Sequence, residues 1–347
     1  MSPFNPKAVN VAVVGATGLV GREILSTLAE RRFPVGTVSP LASAKSAGQD
    51  APFGDVPHLV QRADTFDFST VDLVLMSAGK AVSANLGPKA AAAGAFVIDN
   101  GSFFRMQPDV PLVVPEVNPE AILAAKGRRI VANPNCSTIQ LVVALKPLAQ
   151  LAPLERVVAS TYQAVSGAGQ AGMTALVEET QALLAAQPVP PPHFATRIAF
   201  NCLPHIDDFG DDGHTFEEVK MMRESRKILH LPELGMVTTC VRVPVFCGHA
   251  VSFVAEFGGP MNAAVAREAL LGAKGVLLVD DGGDTRYPTS IDAVGQDATL
   301  VGRLRDDPSR PNSLAAWCMA DNLRKGAAVN AVQIAERWLH HRSAGEL

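Results

Sequence analysis

A cysteine stands where a loop meets an apolar helix in "VANPNCSTIQLVV", residues 131–143. Cys136 falls in the first turn of the predicted helix, where the backbone dipole favours the thiolate form of a cysteine. The other four cysteines, Cys202, Cys240, Cys247 and Cys318, lie within apolar or strand-like runs, which is typical of buried, inert thiols. Cys136 is therefore the candidate nucleophile.

A glycine-rich turn in "VAVVGATGLVGREI" supplies the second element of chemistry. Gly15, Gly18 and Gly21 follow the spacing G-x-x-G-x-x-G between a predicted strand and a predicted helix. Glycines there permit a tight turn, and the helix N-terminus offers N–H groups to a pyrophosphate. A turn that serves packing alone is the alternative. The glycine-rich turn follows the first strand of a pattern in which strands and helices alternate, and this position favours a dinucleotide site.

The segment after this helix indicates which dinucleotide is bound. An acidic residue about 20 residues beyond the glycines usually bonds the ribose of NAD. The stretch "VGTVSPLASAKSAG", residues 35–48, has no acid and offers Ser43, Lys45 and Ser46 instead. A cation flanked by hydroxyls suits a 2′-phosphate, so NADP is favoured, with a solvated surface lysine as the alternative.

A thiol beside a nicotinamide predicts oxidoreduction of an aldehyde through a thioester. Sulfur attacks the aldehyde, hydride transfer leaves a thioester, and phosphate or water releases the acyl group. The scheme needs an acid/base of near-neutral pKa, most often histidine. Among the eight histidines, His249 follows a glycine at a bend between two predicted strands. The residues alone favour it only slightly over His205 or His214.

Two kinds of element pattern must position these groups. From 9 to about 135, apolar strands alternate with Ala-rich helices, which predicts a doubly wound, Rossmann-like α/β domain with a parallel sheet. After Cys136, "LERVVASTYQAVSG", "MVTTCVRVPVF" and "HAVSFVAEF" predict a mixed sheet in a second, α+β domain. "AAQPVPPPHFA" at 185–195 predicts a surface loop. From 313, "SLAAWCMADNLRKGAAVNAVQIAERWLHH" predicts one long helix that packs back on the first domain.

These patterns predict a division of the chain into residues 1–135, completed by the C-terminal helix within 313–347, and residues 136–312. A chain of 347 residues also favours two domains. The net charge of -4 argues against a nucleic-acid partner, and no apolar run is long enough to span a membrane. The N-terminal "MSPFNPKAVNVAVVG" is interpreted as leading into a strand and not as a signal peptide. Five cysteines without metal-ligand spacing predict no metal site and a reduced, cytoplasmic setting.

Several long segments resemble one family. They are "GATGLVG", "SAKSAG", "DNGSFFRM", "VVPEVN", "ANPNCST", "STYQAVSGAG", "FNCLPHID", "EEVKMMRESRKIL", "VRVPVFCGH" and "ADNLRKGAA". With them the chain resembles bacterial aspartate-semialdehyde dehydrogenase along nearly its whole length. The resemblance implies reduction of aspartyl phosphate by NADPH to aspartate semialdehyde and phosphate, and the reverse reaction. It also implies a step towards lysine, threonine, methionine and diaminopimelate, and a homodimer formed through the second domain.

The resemblance also assigns catalytic roles. Cys136 in "NPNCST" corresponds to the acyl-thioester nucleophile and His249 in "GH" to the acid/base. Gln163 in "TYQAVSGAG" corresponds to the residue that orients the substrate near the sulfur. Arg242 in "VRVP" corresponds to the arginine that holds the substrate carboxylate, a task that suits a planar guanidinium.

Further assignments concern substrate and cofactor. The resemblance implies that Arg105 and Lys220 bind phosphate, that Glu217 faces the substrate ammonium, and that Asn135 contacts the substrate. The matching cofactor positions are Thr17, Gly18, Leu19, Val20, Lys45, Ser46, Ser166, Gly167 and Asn322. Lys45 stands where many members have arginine, which leaves the strength of the NADP preference open.

Alternatives remain at this point. Glu217 and Lys220 have helical i,i+3 spacing, typical also of a surface ion pair, and Arg105 could cap a loop. N-acetyl-γ-glutamyl-phosphate reductase shares the layout, but its nucleophile region typically reads Pro-Gly-Cys where this chain has Asn135 before Cys136. A non-catalytic, nucleotide-binding paralogue is the other alternative. It should have lost the nucleophile, the base or the carboxylate clamp, and this chain has lost none of them.

Overall fold

A computed structural model describes residues 8–280 and 286–347. Residues 1–7, at the start of the N-terminal stretch interpreted above, lie outside this range. The described chain forms two compact units, residues 8–134 with 327–347 and residues 135–326. None of the described helices is long and apolar enough to cross a membrane.

The strands, in chain order, are β1 (Val9–Val14), β2 (Val35–Ala42), β3 (Asp50–Phe53), β4 (Val56–Leu59), β5 (Gln61–Arg62), β6 (Leu73–Met76), β7 (Phe96–Asp99), β8 (Ile130–Ala132), β9 (Leu154–Gln163), β10 (Gly235–Arg242), β11 (His249–Phe257), β12 (Val276–Leu278), β13 (Thr299–Asp306) and β14 (Ser313–Ala320). The α-helices are α1 (Leu19–Glu30), α2 (Lys80–Ala92), α3 (Cys136–Ala149), α4 (Gly169–Leu184), α5 (Phe216–Leu229), α6 (Ala263–Leu270), α7 (Ser290–Ala293) and α8 (Val329–Ser343). Short 3-10 helices lie at Phe68–Thr70, Pro119–Lys126 and Val165–Ala168, and a π-helical turn at Arg324–Ala328.

The first unit contains a six-stranded parallel sheet in the order β5-β2-β1-β6-β7-β8. Leu73–Met76 is buried at every position, as expected for a strand covered on both faces. This is the strand order of a doubly wound dinucleotide-binding domain. The chain adds strands to one side of β1 first and then, from β6 onward, to the other side. Ligands bind such sheets where the carboxyl ends of the strands meet this reversal.

Helix α8 belongs to the first unit and completes its core. Ala331, Ile334 and Ala335 are fully buried there, and Trp338 stacks on Phe96 with ring centroids 5.4 Å apart. The C-terminal segment belongs to the first unit from residue 327 onward. Strand β14 and the π-helical turn at Arg324–Ala328 lie between residue 313 and the start of α8.

The prediction of one helix from residue 313 is wrong. Ser313–Ala320 is strand β14, in the second unit, and helix α8 begins only at Val329. Strand β14 pairs with β11 on one side and β13 on the other, so it is a central strand with few exposed positions. A buried, Ala-rich run cannot be assigned to strand or helix by periodicity alone.

The second unit is built on a mixed sheet in the order β10-β9-β11-β14-β13-β12. β9 runs parallel to β10, whereas β11 is antiparallel to both β9 and β14. Helix α3 is apolar on nearly all sides, is buried at ten positions and packs against β9, β11, β13 and β14. The Pro-rich stretch at 185–195 has no regular structure, as predicted.

Candidate active site

Asn135 and Cys136 form the start of helix α3. The Asn135 backbone is extended, and its Oδ1 accepts hydrogen bonds from the N–H groups of Ser137 at 2.9 Å and Thr138 at 3.2 Å. This is the standard arrangement of an N-cap residue. Cys136 is thereby fixed as the first helical residue, half-buried at the positive end of the helix dipole.

The carboxylate of Glu217 is buried and contacts three other side chains of the site. Its Oε1 accepts hydrogen bonds from Asn135 Nδ2 at 2.7 Å and Gln163 Nε2 at 3.1 Å. Its Oε2 lies 3.0 Å from Lys220 Nζ, which also lies 2.7 Å from Asp207 Oδ2. Burial opposes ionisation of Glu217, but the charge of Lys220 and the hydrogen bonds outweigh it and lower its pKa. Glu217 and Lys220 do pair, yet Glu217 is only 5% exposed, so the pair is not a surface one.

Strand pairing brings three predicted site residues to one edge of the second sheet. Gln163 and Arg242 are register partners on β9 and β10, and His249 is the first residue of β11. Between them, Ala164 accepts a hydrogen bond from Arg242 at 2.9 Å through its carbonyl. The N–H of Ala164 donates to His249 Nδ1 at 3.0 Å. A single backbone residue therefore orients both side chains.

Arg242 is a buried cation with donor capacity to spare. Burial lowers its pKa, while the negative charges of Glu217 and Cys136 oppose that shift. The guanidinium stays charged, since arginine is not deprotonated in proteins. Its Nε has no hydrogen-bond partner among the described residues. An unfilled buried donor of this kind suits a ligand carboxylate.

His249 is completely buried and neutral. Burial, and secondly the charge of Arg242, lower its pKa well below the usual value. Because Nδ1 accepts the Ala164 N–H, the proton of the neutral ring lies on Nε2. Nε2 has no partner among the described residues. The ring is thus held as a hydrogen-bond donor.

The loop beneath these side chains requires glycine at position 167. A Cβ on Gly167 would lie 2.8 Å from Arg242 and 3.0 Å from His249 Nε2. Beside it, Ser166 accepts a hydrogen bond from Asn322 Nδ2 at 2.9 Å, and Asn322 Oδ1 accepts from the Gly248 N–H at 2.9 Å. Ser166 and Asn322, both predicted to contact the cofactor, therefore also brace Gly248, the residue that precedes His249.

In the first unit, the glycine turn joins β1 to α1. Gly15 has φ +85°, and a Cβ there would lie 2.2 Å from the Ser77 carbonyl oxygen. A Cβ on Gly21 would lie 2.0 Å from the Gly15 carbonyl oxygen. Gly18 is the N-cap of α1 and provides no side-chain cap, and Leu19 and Val20 begin the helix. The backbone at this end is open to a ligand, as a pyrophosphate site requires.

A cavity of about 620 Å³ adjoins this turn. Thr17, Gly18 and Ser43 line it, and so does Asp64, an acidic residue beyond the acid-free stretch 35–48. The hydrogen bond from Arg62 is the largest of the effects that lower the pKa of Asp64. Lys45 and Ser46 lie in the turn after β2, exposed and half-buried respectively. The glycine cradle and the cavity together fit a dinucleotide.

Arg105 lies in the first unit on the segment after β7. It is buried and donates from NH2 to the Asn100 carbonyl at 2.7 Å, which is the loop-capping contact considered as its alternative role. Asp99 at the end of β7 is also buried, and desolvation raises its pKa. Its Oδ1 accepts from Ser83 at 2.6 Å and from the Gly101 N–H at 3.0 Å.

Comparison with known proteins decides the family. The sequence profile of "Semialdehyde dehydrogenase, NAD binding domain" matches residues 10–125, and that of "Semialdehyde dehydrogenase, dimerisation domain" matches residues 145–325. Aspartate-semialdehyde dehydrogenase 2 of Vibrio cholerae is 49% identical over 94% of this chain and 96% of its own length. This chain belongs to the aspartate-semialdehyde dehydrogenase family.

Other relatives agree. Aspartate-semialdehyde dehydrogenase of Legionella pneumophila is 48% identical over 94% of this chain and 95% of its own length. The crystal structure of the Vibrio cholerae enzyme II complexed with ASA has a TM-score of 0.94 at 47% identity, covering 96% of this chain and 99% of that one. The predicted family, enzyme class and fold class are confirmed, whereas the individual site roles remain predictions.

Within this family member, sequence reasoning missed several residues at the site. Thr161 donates to Gln163 Oε1 at 3.0 Å and so fixes the orientation of its amide. Ala164 carries no chemical signal, because only its backbone acts. Glu224 lies in the segment "EEVKMMRESRKIL", seven residues after Glu217. In a helix this spacing places both carboxylates on the same face, which is a signal in the sequence. In the described part of the chain, no group of three or more His, Cys, Asp or Glu side chains could hold a metal ion.

Proposed function

We propose that this chain reduces L-aspartyl-4-phosphate with NADPH to L-aspartate 4-semialdehyde and phosphate, and catalyses the reverse, phosphorylating oxidation, through a thioester on Cys136. The observation that carries the proposal is the convergence of a charged Arg242, a neutral His249 and a buried Glu217 in the unit that begins with the capped Cys136 helix. This step would serve the biosynthesis of lysine, threonine, methionine and diaminopimelate. The odd number of cysteines, five, and their lack of metal-ligand spacing support a reduced, cytoplasmic setting.

The chemistry begins at sulfur. The Cys136 thiolate attacks the acyl carbon, a C–S bond forms, the C–O bond to phosphate breaks, and phosphate leaves with the bonding pair. When bound, NADPH supplies the hydride that reduces the thioester. The resulting oxyanion collapses to the aldehyde and returns the thiolate, and the phosphate released in the first step takes up one proton from solvent to become hydrogen phosphate.

His249 acts on the oxygen that becomes negative in both steps. Its neutral ring presents Nε2–H as a donor, and a buried donor that is already oriented stabilises a developing oxyanion without reorganisation. The acid/base role that the resemblance predicts for His249 remains a prediction. Its neutral form enters the reaction as the hydrogen-bond donor at Nε2.

The remaining side chains bind the two ends of the substrate. Arg242 offers its unfilled donor capacity to the α-carboxylate, and Glu217 offers the counter-charge for the α-ammonium. Gln163, held by Thr161 and Glu217, orients the acyl group beside the sulfur. Lys220 and Arg105 are proposed to bind the phosphate. A ligand phosphate must compete with Asp207 for Lys220.

Two features support the cofactor. The glycine cradle accepts a pyrophosphate, and the family profile over residues 10–125 describes an NAD-binding domain. The absence of an acid between Val35 and Gly48 and the presence of Lys45 favour NADP, whereas Asp64 at the cavity wall favours NAD. NADP is proposed because Asp64 is already engaged by Arg62.

One assay tests the proposal. Phosphate-dependent reduction of NADP and of NAD is measured with aspartate semialdehyde and with N-acetylglutamate semialdehyde. We expect turnover with aspartate semialdehyde and a higher kcat/KM with NADP. Preference for the N-acetylated substrate would assign the sister reductase instead, and no turnover with any pair would indicate a non-catalytic paralogue.

A homodimer through the second unit is also proposed. On one face of the mixed sheet, Val158, Ser252 and Trp317 are only half-buried and Tyr162 is 39% exposed. A cavity of about 760 Å³ lies on this face, and the profile over residues 145–325 is that of a dimerisation domain. A half-covered apolar sheet face needs a partner layer. A fully active monomer in sedimentation at micromolar concentration would contradict this assembly.

A further inference from the structure

Glu224 is a buried carboxylate that the mechanism above does not use. It lies on α5, is 1% exposed, and its Oε2 accepts a hydrogen bond from the main-chain N–H of Asn135 at 2.7 Å. Glu217 precedes it by seven residues, or two helical turns, so both carboxylates lie on the same face of α5. Helix α5 thus contacts Asn135 twice, once at its side chain and once at its backbone.

The Asn135 N–H needs this partner. It precedes helix α3, so no carbonyl of that helix can accept it, and Asn135 is only 6% exposed. A buried N–H without an acceptor is strongly disfavoured. With Glu224 in place, three polar groups of Asn135 are fixed: Oδ1 by α3, Nδ2 by Glu217, and the backbone N–H by Glu224.

These contacts restrain both the backbone and the side chain of Asn135, the residue before the proposed nucleophile. Cys136 follows Asn135 directly, so the position of its Cα is set by the same dihedral angles. We propose that Glu224 is a positioning residue, which fixes the start of α3, and with it the sulfur of Cys136, by accepting the Asn135 N–H. This role rests on the proposed function of Cys136 as nucleophile.

Three substitutions separate the acceptor from the charge. Glu224→Gln keeps an oxygen at the same reach and removes the charge, Glu224→Asp keeps the charge and is one methylene too short, and Glu224→Ala removes both. A misplaced sulfur predicts that kcat falls by about 100-fold in the Ala and Asp variants while the KM for NADPH is unchanged. The Gln variant should stay within about threefold of wild-type kcat, because an amide oxygen also accepts the N–H.

The chain offers a matched control. Glu179 on α4 is also 1% exposed and accepts the N–H groups of Ile198 at 2.8 Å and Ala199 at 2.9 Å. The hydrogen bonds that its Oε2 accepts therefore come from residues other than Asn135 and Cys136. Glu179→Ala should lower the melting temperature and leave kcat at its wild-type value. It therefore measures what loss of a buried carboxylate does without moving the nucleophile.

The second readout is the alkylation rate of Cys136 by iodoacetamide between pH 6 and pH 9, followed by peptide mass spectrometry on the full chain. It should slow in the Asp and Ala variants and be preserved in Gln and in Glu179→Ala. This readout needs no substrate, so it tests Glu224 even if the semialdehyde assay fails for the wild type. Should the Ala variant fail to fold, the Gln and Asp pair decides.

Three results would overturn the proposal. One is a wild-type kcat and alkylation rate in the folded Ala or Asp variant. Another is a Gln variant as impaired as the Asp variant, since charge and not acceptor geometry would then matter. The third is an equal loss of kcat in Glu179→Ala, which would reduce the effect to general destabilisation.

Discussion

Helices α1 and α3 begin in opposite ways. The N-cap of α1 is Gly18, no side chain caps it, and its first turn has no acidic residue. The N-cap of α3 is Asn135, whose side chain fills two N–H groups and is itself held by Glu217. A side-chain N-cap stabilises a helix by about 1 kcal/mol, and α1 lacks this contribution. This contrast fits the proposed roles, a ligand at the open end of α1 and a nucleophile at the capped and braced end of α3.

The largest effect expected at the α3 end comes from Cys136→Ser. Turnover should fall to background, because a hydroxyl is a much poorer nucleophile than a thiolate at neutral pH. NADPH binding, measured by fluorescence, should stay at the wild-type level, since the glycine turn lies in the other unit. In the wild type, mass spectrometry should trap an acyl adduct on Cys136. An adduct on Cys247 that tracked activity would break the assignment.

Arg242 should give the next largest effect. Its removal leaves a buried substrate carboxylate unpaired, which costs about 2–4 kcal/mol in transition-state binding. That corresponds to about 30- to 1,000-fold in kcat/KM for Arg242→Ala. Arg242→Lys should recover part of it, because an ammonium cannot make two parallel bonds to one carboxylate.

The control for Arg242 is the nucleophile itself. Cys136 should be alkylated at nearly the wild-type rate in Arg242→Lys and more slowly in Arg242→Ala, because lysine keeps the positive charge that Arg242 places near the sulfur. Wild-type kcat/KM in Arg242→Lys would place the carboxylate clamp elsewhere. Steady-state kinetics with aspartate semialdehyde and iodoacetamide labelling make the two measurements.

At the α1 end, two glycines should separate folding from binding. Gly15→Ala forces a Cβ to 2.2 Å from a carbonyl oxygen at φ +85°, so it should lower both the melting temperature and NADPH affinity. Gly18 has φ −77° and a nearest contact of 3.4 Å, so Gly18→Ala should fold normally. Its methyl group should still crowd the pyrophosphate and weaken NADPH binding by about tenfold, since overlap costs about 1–3 kcal/mol. Unchanged NADPH affinity in Gly18→Ala would show that α1 does not receive the phosphates.

The first unit was the easier of the two to predict from sequence. Its strands are buried on both faces and alternate with helices, so "VDLVLMSAG" and "AFVIDN" gave correct strands at Leu73–Met76 and Phe96–Asp99. Strand β14 was missed because an internal strand of Ala, Leu and Met has the composition of a buried helix. Its strand character depends on β11 and β13, which are distant in sequence.

The residues of the candidate site also differ in how far the local sequence predicts them. Cys136 could be found from its place at a helix start, because capping is a local property of the sequence. Selecting His249 over His205 and His214 needed either the family resemblance or the structure. In the structure His249 is completely buried and accepts the Ala164 N–H, whereas His205 and His214 are only half-buried, which supports the proposal for His249. The helical spacing from Glu217 marks Glu224, but its contact with the Asn135 N–H could not be predicted, because nearly every residue has an N–H and only the fold brings this one to Glu224.

The smallest expected effect concerns the histidine that the second unit buries, and it is a dependence of stability on pH. The pKa of His249 is well below its unfolded value of about 6.5. Between these two values the unfolded state binds a proton that the folded state does not, so stability rises with pH and falls as pH drops below about 6.5. This one group should contribute up to about 1.4 kcal/mol per pH unit in that window.

His249→Gln should therefore lose less stability than the wild type between pH 7 and pH 5 in urea unfolding. Exposed His193→Gln, in the Pro-rich loop, controls for loss of a histidine elsewhere in the same unit. Parallel stability curves for wild type and His249→Gln would mean that burial in the second unit does not hold His249 neutral.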